Sequence, residues 1–165
     1  MTFEYLWKRR CNVQQRALTN RIYYQERQRI FEMREGLVKI ISLVAGSVAF
    51  AKVSEPRLVE WCAVAITGSS VASLVFGFGN KVRDSVKRSS DWALLERDIE
   101  SAGERNFTEE QVDKWTARCN EIEAGEPAAH KALLERANIR ACEAMGSNPG
   151  KVSWWTRYRP VFFIP

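Results

Sequence analysis

The sequence is poor in the residues that carry chemistry. It holds one histidine, His130, and four cysteines, Cys11, Cys62, Cys119 and Cys142, with no Cys-x-x-Cys pair among them. That spacing speaks against the usual zinc site and a disulfide framework, and the thiols read as reduced and semi-buried. His130 has Glu126 as its nearest acid and Lys131 as its neighbour, which suits a solvated helix residue better than a catalyst. A Gly-rich phosphate loop, a Gly-x-Ser-x-Gly elbow and an Arg-His pair at ribonuclease spacing are all missing; Gly77-Phe78-Gly79 is too short to serve. These absences argue against an enzyme, and no catalytic residue, metal or cofactor is expected.

The second scarcity is local. Residues 37–80 carry five charges (Lys39, Lys52, Glu55, Arg57 and Glu60), and the other 40 of the chain's 45 lie outside them. A 165-residue chain with 45% hydrophobic and 27% charged residues has the average composition of one water-soluble domain, but that average mixes two populations. Residues 1–36 have eight Lys/Arg against four Glu, residues 81–90 four against one, and residues 101–150 six against nine acids. The net charge of +5 therefore comes from separate patches, which speaks against a nucleic-acid-binding surface.

The apolar stretch divides at residues 52–57, where Pro56 and its charged neighbours predict a turn. As helices, residues 37–51 and 61–79 would be about 23 and 28 Å long, against about 30 Å of membrane hydrocarbon. A cleavable signal peptide is not expected, since the apolar run starts behind an Arg-rich segment of 36 residues. Residues 61–79 have no charge, yet Val64, Ile66, Val71, Leu74, Val75, Phe76 and Phe78 together favour insertion by only about 2–4 kcal/mol. The positive flanks tip this toward a two-span hairpin with both termini in the cytoplasm. Lys39, Lys52, Arg57, Lys81, Arg83, Lys87 and Arg88 then become interface anchors. The competing expectation is a soluble helical module in which the hairpin is buried.

Small residues form stripes along both halves: Ser42, Ala45, Gly46 and Ala49 in the first, and Ala65, Ser69, Ser73 and Gly77 in the second, with Gly68 and Ala72 beside them. Such stripes let helices approach closely in lipid. Two uses stay open: packing within one hairpin, or packing plus the hydroxyls of Thr67, Ser69, Ser70 and Ser73 facing a pore or neighbouring subunits. Two spans cannot enclose a channel, so conduction would require a homo-oligomer.

The rest of the chain reads as helices. Residues 3–35 lack Pro and Gly, and Trp7, Cys11, Leu18, Ile22 and Met33 predict one apolar face, interrupted by Arg29. Its Arg-rich surface (Arg9, Arg10, Arg16, Arg21, Arg27, Arg29 and Arg34) is expected near anionic headgroups or partner acids, with a plain solvated helix face as the alternative for any one of them. After residue 80, Val82, Val86, Trp92, Leu95, Ile99 and Ala102 continue a helical pattern up to Gly103. Thr108 and Gln111 form a capping box that opens a helix with Val112, Trp115, Cys119 and Ile122 on one face. Pro127 suits the first turn of another, carrying Leu133, Leu134, Ala137, Ala141 and Met145. In the tail, Trp154, Trp155 and Tyr158 interleave with basic residues like an interfacial belt, docking on the helical module being the alternative, and too few such sites exist for a nucleic-acid partner. The expected fold is all-α: a basic helix at 1–36, a membrane hairpin at 37–80, a cytoplasmic helical module at 81–146 and an irregular aromatic tail at 147–165.

This order of parts resembles the SMODS and SLOG-associating two-transmembrane effector (SLATT) family. The resemblance is carried by Arg21 to Arg29, by the apolar pair 37–51 and 61–79, and by Arg83-Asp84 through Ser90-Asp91-Trp92-Ala93-Leu94-Leu95, and it covers roughly residues 10–145. It implies an inner-membrane effector of antiphage or other conflict defence. Such a protein oligomerises in lipid and permeabilises the membrane on a signal from a sensor or nucleotide-signalling partner. A phage-encoded, holin-like scaffold is the alternative membrane reading, although holins usually end soon after their last span and 85 residues follow Asn80 here.

Overall fold

A computed structural model describes residues 2–148; the expected interface residues Trp154, Trp155 and Tyr158 lie outside them. The described chain is all helical: α1 (Phe3–Ala51), α2 (Pro56–Phe76), α3 (Phe78–Ser101), α4 (Glu109–Ala124) and α5 (Lys131–Ala144). Pro56 opens α2 rather than lying in the turn, because the first helical position needs no N–H. Gly77 closes α2 with φ 57°, a left-handed conformation that glycine adopts without strain.

Two compact units result. The first contains α1 up to Arg27 and everything from Ser85 onward; the second is Gln28–Asp84.

In the first unit, Trp92, Leu95 and Ile99 of α3, Val112 and Cys119 of α4, and Leu133, Ala137 and Ala141 of α5 bury the faces that their spacing predicts. The capping box of α4 is complete: the Gln111 amide N–H donates to Thr108 Oγ1 at 3.3 Å, and the Thr108 N–H donates to Gln111 Oε1 at 2.8 Å. Burial pushes the Cys119 thiol up to about 11, so it stays protonated and inert.

Helix α1 departs from expectation. Leu18 is buried, but Met33 is 49% exposed, and the buried positions include Arg10, Ala17 and Tyr24, seven residues apart. A spacing of seven is the seam of a helix packed along its length against others. Arg10 meets neither a headgroup nor an acid but is buried where α3 ends: its guanidinium donates to the Ile99 carbonyl at 3.3 Å and lies over the Trp7 and Phe107 rings. A cation suits that place, because the last carbonyls of a helix carry partial negative charge.

Three other arginines of α1 find acids within the chain. Arg9 pairs with Asp113 at 2.8 Å and Arg21 with Glu96 at 2.7 Å, while Arg16 grips the Glu123 carboxylate with Nε and Nη2. Glu26, buried on α1, accepts from Arg140 of α5. The basic N-terminal segment and the acidic 101–150 segment thus neutralise one another in space, and these arginines are not free for headgroups.

The connection from α4 to α5 also differs. Pro127 does not start a helix; residues 126–130 are irregular and α5 begins at Lys131. Tyrosines hold this stretch in place. The His130 backbone N–H donates to Tyr23 Oη at 3.0 Å, and Glu126 accepts from the Trp92 indole at 2.7 Å and from the Tyr24 hydroxyl. His130 is therefore a half-buried residue preceding α5, not a solvated one within a helix, and its Nδ1 is buried without a partner.

Candidate functional site

The second unit is an antiparallel helical hairpin. The end of α1 runs down one side, residues 52–55 turn, and α2 with the start of α3 returns. Three contacts fix the register: Phe31 stacks on Phe78 with ring centroids 6.5 Å apart, Glu35 carboxylate oxygens lie beside Gly79, and the Ser42 and Ser69 hydroxyls are 2.8 Å apart.

The small-residue stripes meet along the inner seam. Ser42, Ala45, Gly46 and Ala49 are half-buried on one side, as are Ala65, Ser69, Ala72, Ser73 and Gly77 on the other. Thr67, Gly68 and Ser70 are not brought to the seam and remain exposed. The seam does not depend on the absence of a side chain at Gly46, because a Cβ there would meet nothing within 4 Å; the same holds at Gly68. Ser47 and Ser69 also donate to the Leu43 and Ile66 carbonyls, so their polarity is met within their own helices.

Outside the seam the hairpin is apolar and uncovered. Phe50 is 86% exposed, Leu74 82% and Trp61 73%, with Ile40, Leu43, Val44, Val64, Val71, Val75 and Phe76 all more than half exposed. A patch of this kind on a monomer marks a surface that meets something other than water. Among the described residues these side chains stay uncovered. The stretch Pro56–Ser101 is long and apolar enough to cross a membrane, with a mean hydropathy of 1.7 over 18 residues and 17% of them buried. The apolar end of α1 falls short by the same measure, since the 18 residues ending at Ala51 include Arg34, Glu35 and Lys39. Among the described residues only one helix qualifies.

Charge gathers at the open end of the hairpin. Arg34 and Lys81 lie over the Phe31 ring at 5.7 and 5.3 Å, each near enough for cation–π attraction. Lys39 pairs with Glu35 at 2.8 Å and keeps a largely exposed side chain, and Arg83 is exposed. At the turn, Lys52 pairs with Glu55 at 3.4 Å and Arg57 is exposed. Two other expected anchors belong to the first unit. Lys87 is exposed there, and Arg88 lies over the Tyr24 ring, half-buried.

The cluster of Phe31, Phe76 and Phe78 was not anticipated as a unit. Its signal was the spacing of seven that continues from Arg10, Ala17 and Tyr24 to Phe31. Among the described residues no three His, Cys, Asp or Glu side chains come together as a metal site. No family model, curated protein or solved structure matches the chain.

Proposed function

We propose that residues 37–80 insert into the bacterial inner membrane as a two-helix hairpin with both termini cytoplasmic, and that the chain is a membrane effector of a conflict or antiphage defence system. The observation that carries this reading is the uncovered apolar surface of the hairpin beside a unit whose own apolar faces are buried. In water that surface costs roughly 25 cal/mol for every Å² left exposed; in hydrocarbon it costs nothing. The α2 stretch spans with little tilt. The shorter apolar end of α1 reaches both interfaces when Lys39 and Lys52 extend their ammonium groups toward the headgroups.

Permeabilisation requires several copies, because the seam of one hairpin is filled by its own side chains. Ser42, Ser69 and Ser73 serve that seam, and the hydroxyls left to meet another subunit or a water column are those of Thr67 and Ser70. The resemblance to SLATT proteins supplies the biological setting and the expectation of a signalling partner. Fractionation is the decisive test: the chain is expected in the membrane pellet after alkaline carbonate washing and in solution only with detergent. Recovery in a detergent-free high-speed supernatant would end the membrane reading. Dye leakage from cells expressing the chain tests the effector role, with Thr67→Leu and Ser70→Leu expected to reduce leakage without altering fractionation.

A further inference from the structure

We infer that the open end of the hairpin binds the phosphate headgroups of anionic phospholipids, and that the turn end does not. This rests on the membrane reading above and names the lipid class that the inserted hairpin selects. The two ends of the second unit differ in charge. Residues 28–39 and 81–84 at the open end carry five basic side chains against three acids, whereas residues 52–60 around the turn carry two against two. Lys52 pairs with Glu55 there, so the turn presents no excess of either sign.

The basic side chains lie at the depth of a headgroup. With the uncharged run 61–79 as the hydrocarbon segment, Lys81 lies about 3 Å and Arg83 about 6 Å farther along α3, while the headgroup layer on each side of a bilayer is about 5–7 Å thick. Both side chains are exposed. The hairpin fold brings Arg34 of α1 to the same place. Arg34 and Lys81 lie over the one ring of Phe31, at 5.7 and 5.3 Å, and so are at most about 11 Å apart. Phe31 is itself buried, and the ring that gathers the two cations is therefore fixed by packing.

Cations gathered in this way repel one another, the more so beside hydrocarbon, where the dielectric constant is low. A phosphate diester among them turns repulsion into attraction and accepts charge-assisted hydrogen bonds. Glu35 does not take its place, because it is engaged by Lys39 at 2.8 Å and that pair is neutral. The neighbouring surface decides the source of the phosphate. Leu37, Ile40, Leu74 and Phe76 are all more than 40% exposed on the hydrocarbon side of the cations. An acidic protein or a nucleotide matches the charge but not that apolar surface; a phospholipid offers its phosphate to the one and its acyl chains to the other.

The test reconstitutes the full chain in phosphatidylcholine bilayers with a trace of phosphatidylglycerol or phosphatidylcholine spin-labelled on the acyl chain. Electron paramagnetic resonance gives the share of each lipid slowed at the protein. Phosphatidylglycerol is expected to associate about fivefold more strongly in about 0.1 M salt, equal to about 1 kcal/mol, the contribution of one basic residue near an anionic surface. In about 1 M salt the preference should fall below about twofold. Lys81→Gln combined with Arg83→Gln should bring it close to one while the slowed share of phosphatidylcholine stays as it was, and Lys81→Arg combined with Arg83→Lys should retain it. Equal association of the two lipids with the parent chain would assign the cations to an acidic partner protein and overturn the proposal alone, as would a preference that survives the Gln substitutions. Absence of slowed lipid of either kind would overturn the membrane reading together with it.

Discussion

The two units solve the problem of apolar surface in opposite ways. In the helical unit Trp92, Ile99 and Val112 are fully buried and Arg9, Arg16 and Arg21 of α1 meet acids from α3 and α4; in the hairpin Phe50, Trp61 and Leu74 face outward and the few charges gather at its ends. One helix, α1, contributes to both. Its residues up to Arg27 turn apolar side chains inward and leave charge outward or paired, and from Leu37 onward large apolar side chains face outward. The difference teaches that the handling of apolar surface changes along a single helix and that local sequence, more than secondary structure, records where.

The sharpest way to break this comparison is to make the same kind of change in both units. Ile99→Ala removes a fully buried side chain and should cost about 2–5 kcal/mol in a thermal or denaturant melt of the detergent-solubilised chain. Leu74→Ala, at a position 82% exposed, should shift the same melt by no more than about 0.5 kcal/mol. A comparable loss at Leu74 would mean that the hairpin face is packed against protein.

Polarity gives the complementary test. Val71 is 52% exposed near the middle of the charge-free run. On a water-facing helix Val71→Asp would be nearly neutral. In lipid it swings insertion by about 3–4 kcal/mol, as much as the whole apolar contribution of that segment, and the chain should leave the membrane fraction. Unchanged fractionation would place this face away from hydrocarbon.

Much of the helical unit was legible because its signals are local. The α4 capping box, the faces of α4 and α5 and the stops at Gly103 and Gly146 follow from spacing and from residues that adopt positive φ. What was not legible depended on partners distant in sequence. Arg10 reads as surface until the end of α3 supplies carbonyls and rings for it, and the irregular start of α5 is held by Tyr23 and Tyr24, more than a hundred residues away. In the hairpin, spacing found the stripes but not which members meet. That follows from the register of α1 against α2, set by Phe31 on Phe78 and by Ser42 on Ser69.

A smaller effect is expected where charge pairs inside the helical unit. Glu96 is buried, and Arg21 is its ion-pair partner, at 2.7 Å but poorly aligned for a hydrogen bond. Burial raises the Glu96 carboxyl above its ordinary range and Arg21 opposes that rise. Arg21→Met leaves the carboxylate unpaired and should cost about 2 kcal/mol at neutral pH, at the low end for buried pairs because the arginine is partly exposed. The loss should fade as pH falls through the raised carboxyl value and Glu96 takes up a proton. Adding Glu96→Gln should recover most of it, and a loss that persists in acid would show that Arg21 acts through packing.

The smallest predicted effect is a gain. Glu126 ties the α4–α5 connection to the Trp92 indole and the Tyr24 hydroxyl, and burial, the largest influence on it, raises its carboxyl above the ordinary range while those two donors and Arg88 pull it down. The folded chain therefore holds the Glu126 proton more tightly than the unfolded chain does. Ionisation then costs stability, a cost that is absent in acid and grows as pH rises through the ordinary carboxylate range toward the folded value. Glu126→Gln keeps an oxygen to accept the Trp92 N–H and removes the ionisation. Its Tm should exceed that of the parent by roughly 1–3 °C at neutral pH and fall to the parent's value or below in acid. A lower Tm at neutral pH would mean that attraction to Trp92, Tyr24 and Arg88 outweighs burial. The α4–α5 connection would then be held by charge, as the arginines of α1 are held, and the helical unit would depend on ionic contacts throughout.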